Sequence, residues 1–161
     1  MPIPYGIGIF VEKEFQIMEN ALISACLLGV SCRYDGLSKP LDAETINALM
    51  ARYHLIPICP EIFGGLPTPR VPAEIGKDRE VFRSDGICVT KEYQNGAKEA
   101  LRLAKLFDCK IAILKERSPS CGSGVIYDGT FTGTKIHADG ITAALLKKNG
   151  ITVIGESELK P

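Results

Sequence analysis

The chain has 161 residues, enough for one domain with a real core and too few for two of ordinary size. Apolar residues at 45% and charged residues at 24% are globular proportions, which excludes a disordered or low-complexity protein. Its 19 basic and 19 acidic side chains cancel, so a nucleic-acid polymer is disfavoured as partner and a small ligand stays open.

Residues 1–19 read as an accessory extension. Met1-Pro2-Ile3-Pro4-Tyr5-Gly6 has no period, and Val11–Phe15 suits either a strand or a loose turn. The opening apolar run has no basic stretch and no small-residue cleavage site, so it does not read as a signal peptide. No apolar run approaches the length of a membrane span. Without an export signal the six cysteines are expected as thiols, metal ligands or catalytic groups of a cytoplasmic protein rather than as disulfides.

Residues 20–161 read as a single domain. A strand over Ala21–Ala25 leads through Leu28-Gly29 and Arg33-Tyr34-Asp35-Gly36 to a helix that Asp42 caps, with Leu41 and Ile46 as a hydrophobic staple. Ile46, Leu49, Met50 and Tyr53 follow the spacing of one apolar helix face. A strand over Leu55–Cys59 comes next. Pro60 to Asp78 shows no period and is rich in proline and glycine, which predicts a long, stiff, functional loop. Gly86–Val89 is a short strand candidate, and Thr90 can cap a helix whose stripe is Ala97, Ala100, Leu101, Ala104 and Phe107. Lys110–Leu114 is a third strong strand. Tyr127–Phe131 reads as a hairpin turn around Asp128-Gly129. Asp139 opens a last helix with Ile141, Ala144 and Leu145 inward and Gly150 just past its end, followed by a strand over Ile151–Ile154. Strands alternating with helices predict a three-layer α/β domain with a mainly parallel, Rossmann-like sheet, whose strand order the pattern leaves open.

Cys26, Cys59 and Cys121 each end an apolar run and enter a turn containing glycine or proline. Open α/β sheets place their chemistry at such carboxyl ends, so three thiols at three strand ends can meet. Cys88 and Cys109 lie in apolar surroundings and read as packing residues. Cys32 is ambiguous between the two groups. The spacings fit neither a zinc knuckle nor a compact ferredoxin run. Six residues separate Cys26 from Arg33, one too many for the phosphate loop of thiolate phosphatases. Only His54 and His137 are available for a Cys-His couple, which is poorly supported.

Among other polar residues, Glu61 follows Cys59 by two positions and can face the same crevice or stand in solvent. Arg70 and Glu74 lie in a proline-restricted stretch and can bind a polar ligand or pair with each other. Ser118 and Ser120 flank Pro119 next to Cys121; their hydroxyls suit donation to a sulfide or substrate atom, or bonds within the turn. Gly122-Ser123-Gly124 can hold an anion.

The motifs Ile23-Ser24-Ala25-Cys26-Leu27-Leu28-Gly29, Arg33-Tyr34-Asp35-Gly36, Cys59-Pro60-Glu61, Gly65–Arg70 and Ser118-Pro119-Ser120-Cys121-Gly122 together resemble the bacterial thiouracil desulfurase family, from about Ala21 onward. The resemblance implies a 4Fe-4S cluster held by Cys26, Cys59 and Cys121 with one iron left open. It implies Glu61 as catalytic carboxylate, assisted by Ser118, Ser120 or both. The implied reaction turns a thiolated pyrimidine such as 2-thiouracil into the oxo base and hydrogen sulfide without net redox change. The open iron would act as Lewis acid toward the soft sulfur. The rival readings are a structural zinc site of Cys26, Cys32, Cys59 and Cys121, and a thiol-based sulfur carrier or binding module.

Overall fold

The most apolar run of the chain becomes the middle of a sheet. In the computed structural model, which describes residues 17–159, strand β1 (Glu19–Ser24) has Ala21, Leu22 and Ile23 wholly buried. It is flanked on one side by β2 (Tyr53–Ile58) and on the other by β5 (Ile111–Leu114), with β8 (Thr152–Gly155) beyond; all pairings are parallel, in the order β2-β1-β5-β8. A strand with parallel neighbours on both sides and helices over both faces is near-continuously apolar, and β1 and β5 are. Most of the predicted extension, residues 1–16, lies outside the described residues, and β1 begins at Glu19.

Helix α1 (Ala43–Arg52) covers one face. Asp42 caps it as predicted, its carboxylate accepting from the Thr45 N–H at 2.8 Å and the Thr45 hydroxyl at 2.9 Å. The predicted stripe fails at two positions: Met50 is 58% exposed, and Tyr53 has left the helix as the first residue of β2. Helices α3 (Thr90–Leu106) and α4 (Ile141–Lys148) lie on the opposite face, over Leu22, Ala112 and Leu114. The result is the three-layer α/β arrangement.

Other expectations are corrected. The Pro60–Asp78 segment is not structureless: Pro60 at the first helical position starts a one-turn helix α2 (Pro60–Phe63), and β3 (Ala73–Ile75) pairs with β4 (Val81–Arg83). The strand expected at Gly86–Val89 is a single bridge, Cys88 to Phe82, because the turn at Gly86 ends the ladder. Thr90 stands inside α3, and its hydroxyl accepts the Val81 N–H at 2.8 Å instead of capping. Phe107 is half-exposed past the helix end. The reversal at Asp128-Gly129 is no two-residue turn: β6 (Ile126–Tyr127) and β7 (Lys135–Ile136) are joined by residues 128–134. In α4 the buried residues are Thr142, Ala143 and Leu146, one step round from those expected. Cys109 is buried as predicted, but Cys88 is exposed. Among the described residues no helix is long and apolar enough to cross a membrane.

Two glycines set how closely α2 approaches α3. A Cβ on Gly96 would overlap the Pro60 carbonyl, and one on Gly64 the Glu92 carbonyl. Gly96→Ala gains about 1 kcal/mol of helix propensity, but the overlap is with backbone and costs about 1–3 kcal/mol or more. The clash wins. Gly96→Ala is expected to lower the thermal midpoint and, by moving α2, to disturb the residues that α2 carries; a melting curve that rises would show the contact to be loose.

Candidate active site

The chain leaves β1 toward β2 on one side, then crosses back to β5 and β8 on the other. The switch point is therefore at the carboxyl ends of β1 and β5, where such sheets bind ligands. The segments that follow three adjacent strands, β2, β1 and β5, carry Cys59, Cys26 and Cys121: Cys59 directly, Cys26 two residues on, and Cys121 seven residues past Leu114, so the strand end expected for Cys121 is a loop. Neighbouring strands lie about 4.8 Å apart, so the three ends span roughly 10 Å.

Each cysteine has its own local support. Cys26 lies in a short 3-10 turn, Ala25–Leu28, closed by Gly29 at φ 95°; the Cys26 carbonyl accepts from the N–H groups of Gly29 and Lys39 at 3.2 and 3.1 Å. Cys59 is the N-cap residue of α2. Cys121 is held by α4. The N–H groups of Ile141 and Thr142, orphaned at the helix start, donate to the carbonyls of Pro119 and Ser120 at 2.8 and 2.9 Å. The Ser118 hydroxyl accepts from the N–H groups of Ser120 and Cys121, both at 3.1 Å. Gly140 lies so close beneath that a Cβ there would overlap the Ser120 carbonyl.

These supports open into one cavity of about 530 Å³, lined by Cys26, Cys32, Cys59 and Cys121 together with Glu61, Ser118 and Ser120. Cys26, Cys32 and Cys121 are each less than 10% exposed, and Cys59 is half-buried. The Cys59 thiol reaches the Cys32 carbonyl at 3.7 Å. The hydrogen bond between the Cys59 and Cys32 thiols, with burial added, pushes the Cys59 thiol well above its ordinary range. Cys32 rises because its own thiol bonds to Cys26. Burial pushes Cys121 up to about 12, against hydrogen bonds from Ser24 and Ser120 that pull the other way. Cys32, Cys59 and Cys121 are thus shifted toward the protonated thiol, and a metal that binds such a thiol must displace its proton.

Among the described residues no three cysteine, histidine or carboxylate side chains converge on a point where one ion would sit. The thiols nonetheless share a cavity and hydrogen bonds.

Glu61 is 9% exposed and held by three donors. Its Oε2 accepts from Arg70 Nε at 2.7 Å and also from Nη2; its Oε1 accepts the Tyr93 hydroxyl at 2.9 Å. Arg70 also donates to the Cys32 carbonyl at 3.0 Å and to the Pro67 carbonyl and Thr68 hydroxyl at 3.2 Å. Burial acts most strongly on Arg70 and lowers its pKa, but the Glu61 charge and the hydrogen bond to Glu61, with smaller contributions from Cys59 and Tyr93, together outweigh it and the net direction is up. Burial, then the Glu61 charge, pushes Tyr93 far up, so the phenol stays a donor. A carboxylate has about four acceptor sites; with three donors in place, one on Oε1 is left for a water or substrate proton.

Sequence reasoning left open a pairing between Arg70 and Glu74. The geometry differs: Arg70 serves Glu61, and Glu74 accepts the N–H groups of Gly129 and Phe131. Ser118 and Ser120 both line the cavity, yet the Ser120 hydroxyl, 1% exposed, is bonded to the Thr142 hydroxyl at 2.9 Å. The Ser118 oxygen takes two backbone donors, which leaves its own proton free. Sequence reasoning missed Tyr93, Ser24 and Thr142. Tyr93 was findable, since it stands one turn before Ala97 on the same stripe; Ser24 and Thr142 carry no signal that sets them apart from core polar residues.

Residues 21–158 match the family model described as 2-thiouracil desulfurase. The protein YbbK of Bacillus subtilis (strain 168), described as uncharacterized, is 46% identical over 147 residues, which are 86% of this chain and 96% of YbbK. A solved structure of TudS, a 4Fe-4S-dependent thiouracil desulfidase, matches with a TM-score of 0.83 at 46% identity, over 88% of this chain and 93% of that one.

Proposed function

The chain belongs to the 2-thiouracil desulfurase family, and from that membership we propose that it hydrolyses a thiolated pyrimidine such as 2-thiouracil at a 4Fe-4S cluster held by Cys26, Cys59 and Cys121. The observation that carries the reading is the single cavity that holds these three thiols beside a buried, clamped carboxylate.

The donor set fits the group. Thiols are soft ligands suited to iron-sulfur clusters, and Cys59 and Cys121 come to the cavity on rigid supports. When bound with one iron open, the cluster supplies a Lewis acid for a soft thiocarbonyl sulfur. The chain supplies the rest. Glu61 offers its one remaining acceptor site to a water and takes a proton from it. Arg70 and Tyr93 hold that carboxylate in one orientation. Ser118, whose proton is free, donates to the substrate, while Ser120 braces the Cys121 loop through Thr142. The balance is water plus thiocarbonyl to carbonyl plus hydrogen sulfide, with no electron transferred.

A closed zinc site is disfavoured by the lack of convergence on a single point among the described residues. A thiol-based carrier needs a low-pKa thiol, whereas Cys32, Cys59 and Cys121 are all shifted up. The test is iron, acid-labile sulfide and zinc per chain after purification without oxygen, followed by sulfide release from 2-thiouracil. About four irons with matching sulfide, and release of sulfide with uracil in equal amounts, are expected. Zinc alone would sink the cluster.

A further inference from the structure

Four non-glycine residues have left-handed backbones, and two of them, Arg117 and Phe131, line the active cavity. Phe131, at φ 57°, is the unusual one. A bulky side chain in that region is a genuine outlier, and such outliers persist only where the surroundings enforce them, commonly at ligand sites.

The enforcement is visible. Glu74 Oε2 accepts the N–H groups of Gly129 and Phe131, each at 3.0 Å, so one carboxylate oxygen fixes both sides of residue 130. Gly129, at φ 91°, lies where a Cβ would come 2.7 Å from the Ile75 carbonyl. A chain of hydroxyl bonds joins Asp128, Thr130, Thr132 and Thr134. The loop is therefore braced without any help from the Phe131 ring. That ring belongs to none of the core clusters and is 39% exposed, at the rim of the cavity. Tyr34 also lines the cavity, but Arg33 already lies over its ring at 5.8 Å. A left-handed backbone and a carboxylate that together hold an aromatic residue in the cavity lining suit a flat ligand.

We propose that Phe131 is the stacking platform for the planar ring of the substrate, with Glu74 as the residue that positions it. This rests on the desulfuration reading above for the identity of the ring, a pyrimidine thiocarbonyl. Stacking reads the plane of the ring and not its exocyclic atom, so substrate and oxo product are held alike.

The test compares Phe131→Asn, which tolerates the left-handed backbone without a ring, with Phe131→Tyr, which keeps the ring. Base–aromatic stacking predicts a loss of roughly five-fold to a hundred-fold on removing the ring. In the loaded enzyme Phe131→Asn is expected to raise KM for 2-thiouracil by that factor, with the loss falling on KM rather than kcat. Equilibrium dialysis of uracil and of 2-thiouracil against cluster-free protein is expected to show the same factor for both, with Phe131→Tyr restoring affinity. Glu74→Ala is expected to reproduce the KM effect while Phe131 is intact. Unchanged KM and affinity in Phe131→Asn, with wild-type turnover normal, would overturn the platform alone. Wild-type binding without sulfide release would leave the platform and remove the reaction; no wild-type binding of either base overturns the platform as well.

Discussion

Glutamine in place of Glu61 is expected to lower sulfide release from 2-thiouracil by about a hundred-fold to ten-thousand-fold, the range for losing a positioned general base. The substitution keeps the shape and much of the hydrogen bonding: an amide oxygen still accepts from Arg70, and Tyr93 can turn to accept. What disappears is the charge and the ability to take a proton. The structural cost is separate, because Arg70, with a side chain 6% exposed, then faces a neutral partner. Hydrogen bonds to charged groups contribute about 1.5–3 kcal/mol, so the variant melts lower but is expected to fold. Arg70→Ala gives the contrast. It leaves Glu61 buried without its counter-ion, costing about 3–5 kcal/mol, and also releases the Cys32 carbonyl. Stability should therefore fall more in Arg70→Ala, and kcat per folded molecule more in Glu61→Gln. If Glu61→Gln keeps kcat within about three-fold at saturating substrate, Glu61 is only the partner of Arg70 and the base lies elsewhere.

The parts of this molecule that were legible in its sequence are those set by local pattern. Apolar runs gave the four strands of the main sheet to within a residue or two, Asp42 its cap, and Gly150 the residue past α4. The positions of Cys26 and Cys59 just past strands followed from the same runs, whereas Cys121 stands seven residues beyond β5. Strand order did not, because it depends on pairings between residues far apart, and it is that order which places side by side the three strands that precede the cysteines. The stretch after Cys59 hid its structure because proline at the start of a one-turn helix and in a short hairpin looks the same as proline in a loop. The clamp on Glu61 joins residues 9 and 32 positions away, and nothing local to Glu61 points to either. Cys88 is exposed although it lies beside Ile87, because Ile87 is itself 51% exposed and an apolar neighbour in a short turn does not imply burial.

Cys59→Ala is expected to abolish both the bound iron and turnover, whereas Cys32→Ala keeps iron and acid-labile sulfide. The four thiols share one cavity, so the distinction rests on where each one stands. Cys26, Cys59 and Cys121 follow the ends of three neighbouring strands; Cys32 comes from the turn after the 3-10 segment, and its backbone carbonyl is already an acceptor for Arg70 and for the Cys59 thiol. Removing the Cys32 thiol leaves a small cavity beside the cluster, costing about 1–3 kcal/mol by analogy with other buried truncations, and no vacant coordination site. Removing Cys59 takes away a ligand from the half-buried lip of the cavity, and two remaining thiolates are too few to retain a cluster against oxygen and chelators. Iron and sulfide counted per chain, with the visible absorption of the cluster as a second readout, separate the two variants. Loss of iron in Cys32→Ala to the same degree as in Cys59→Ala would make Cys32 a fourth ligand, close the open iron, and leave no position for a substrate sulfur to occupy.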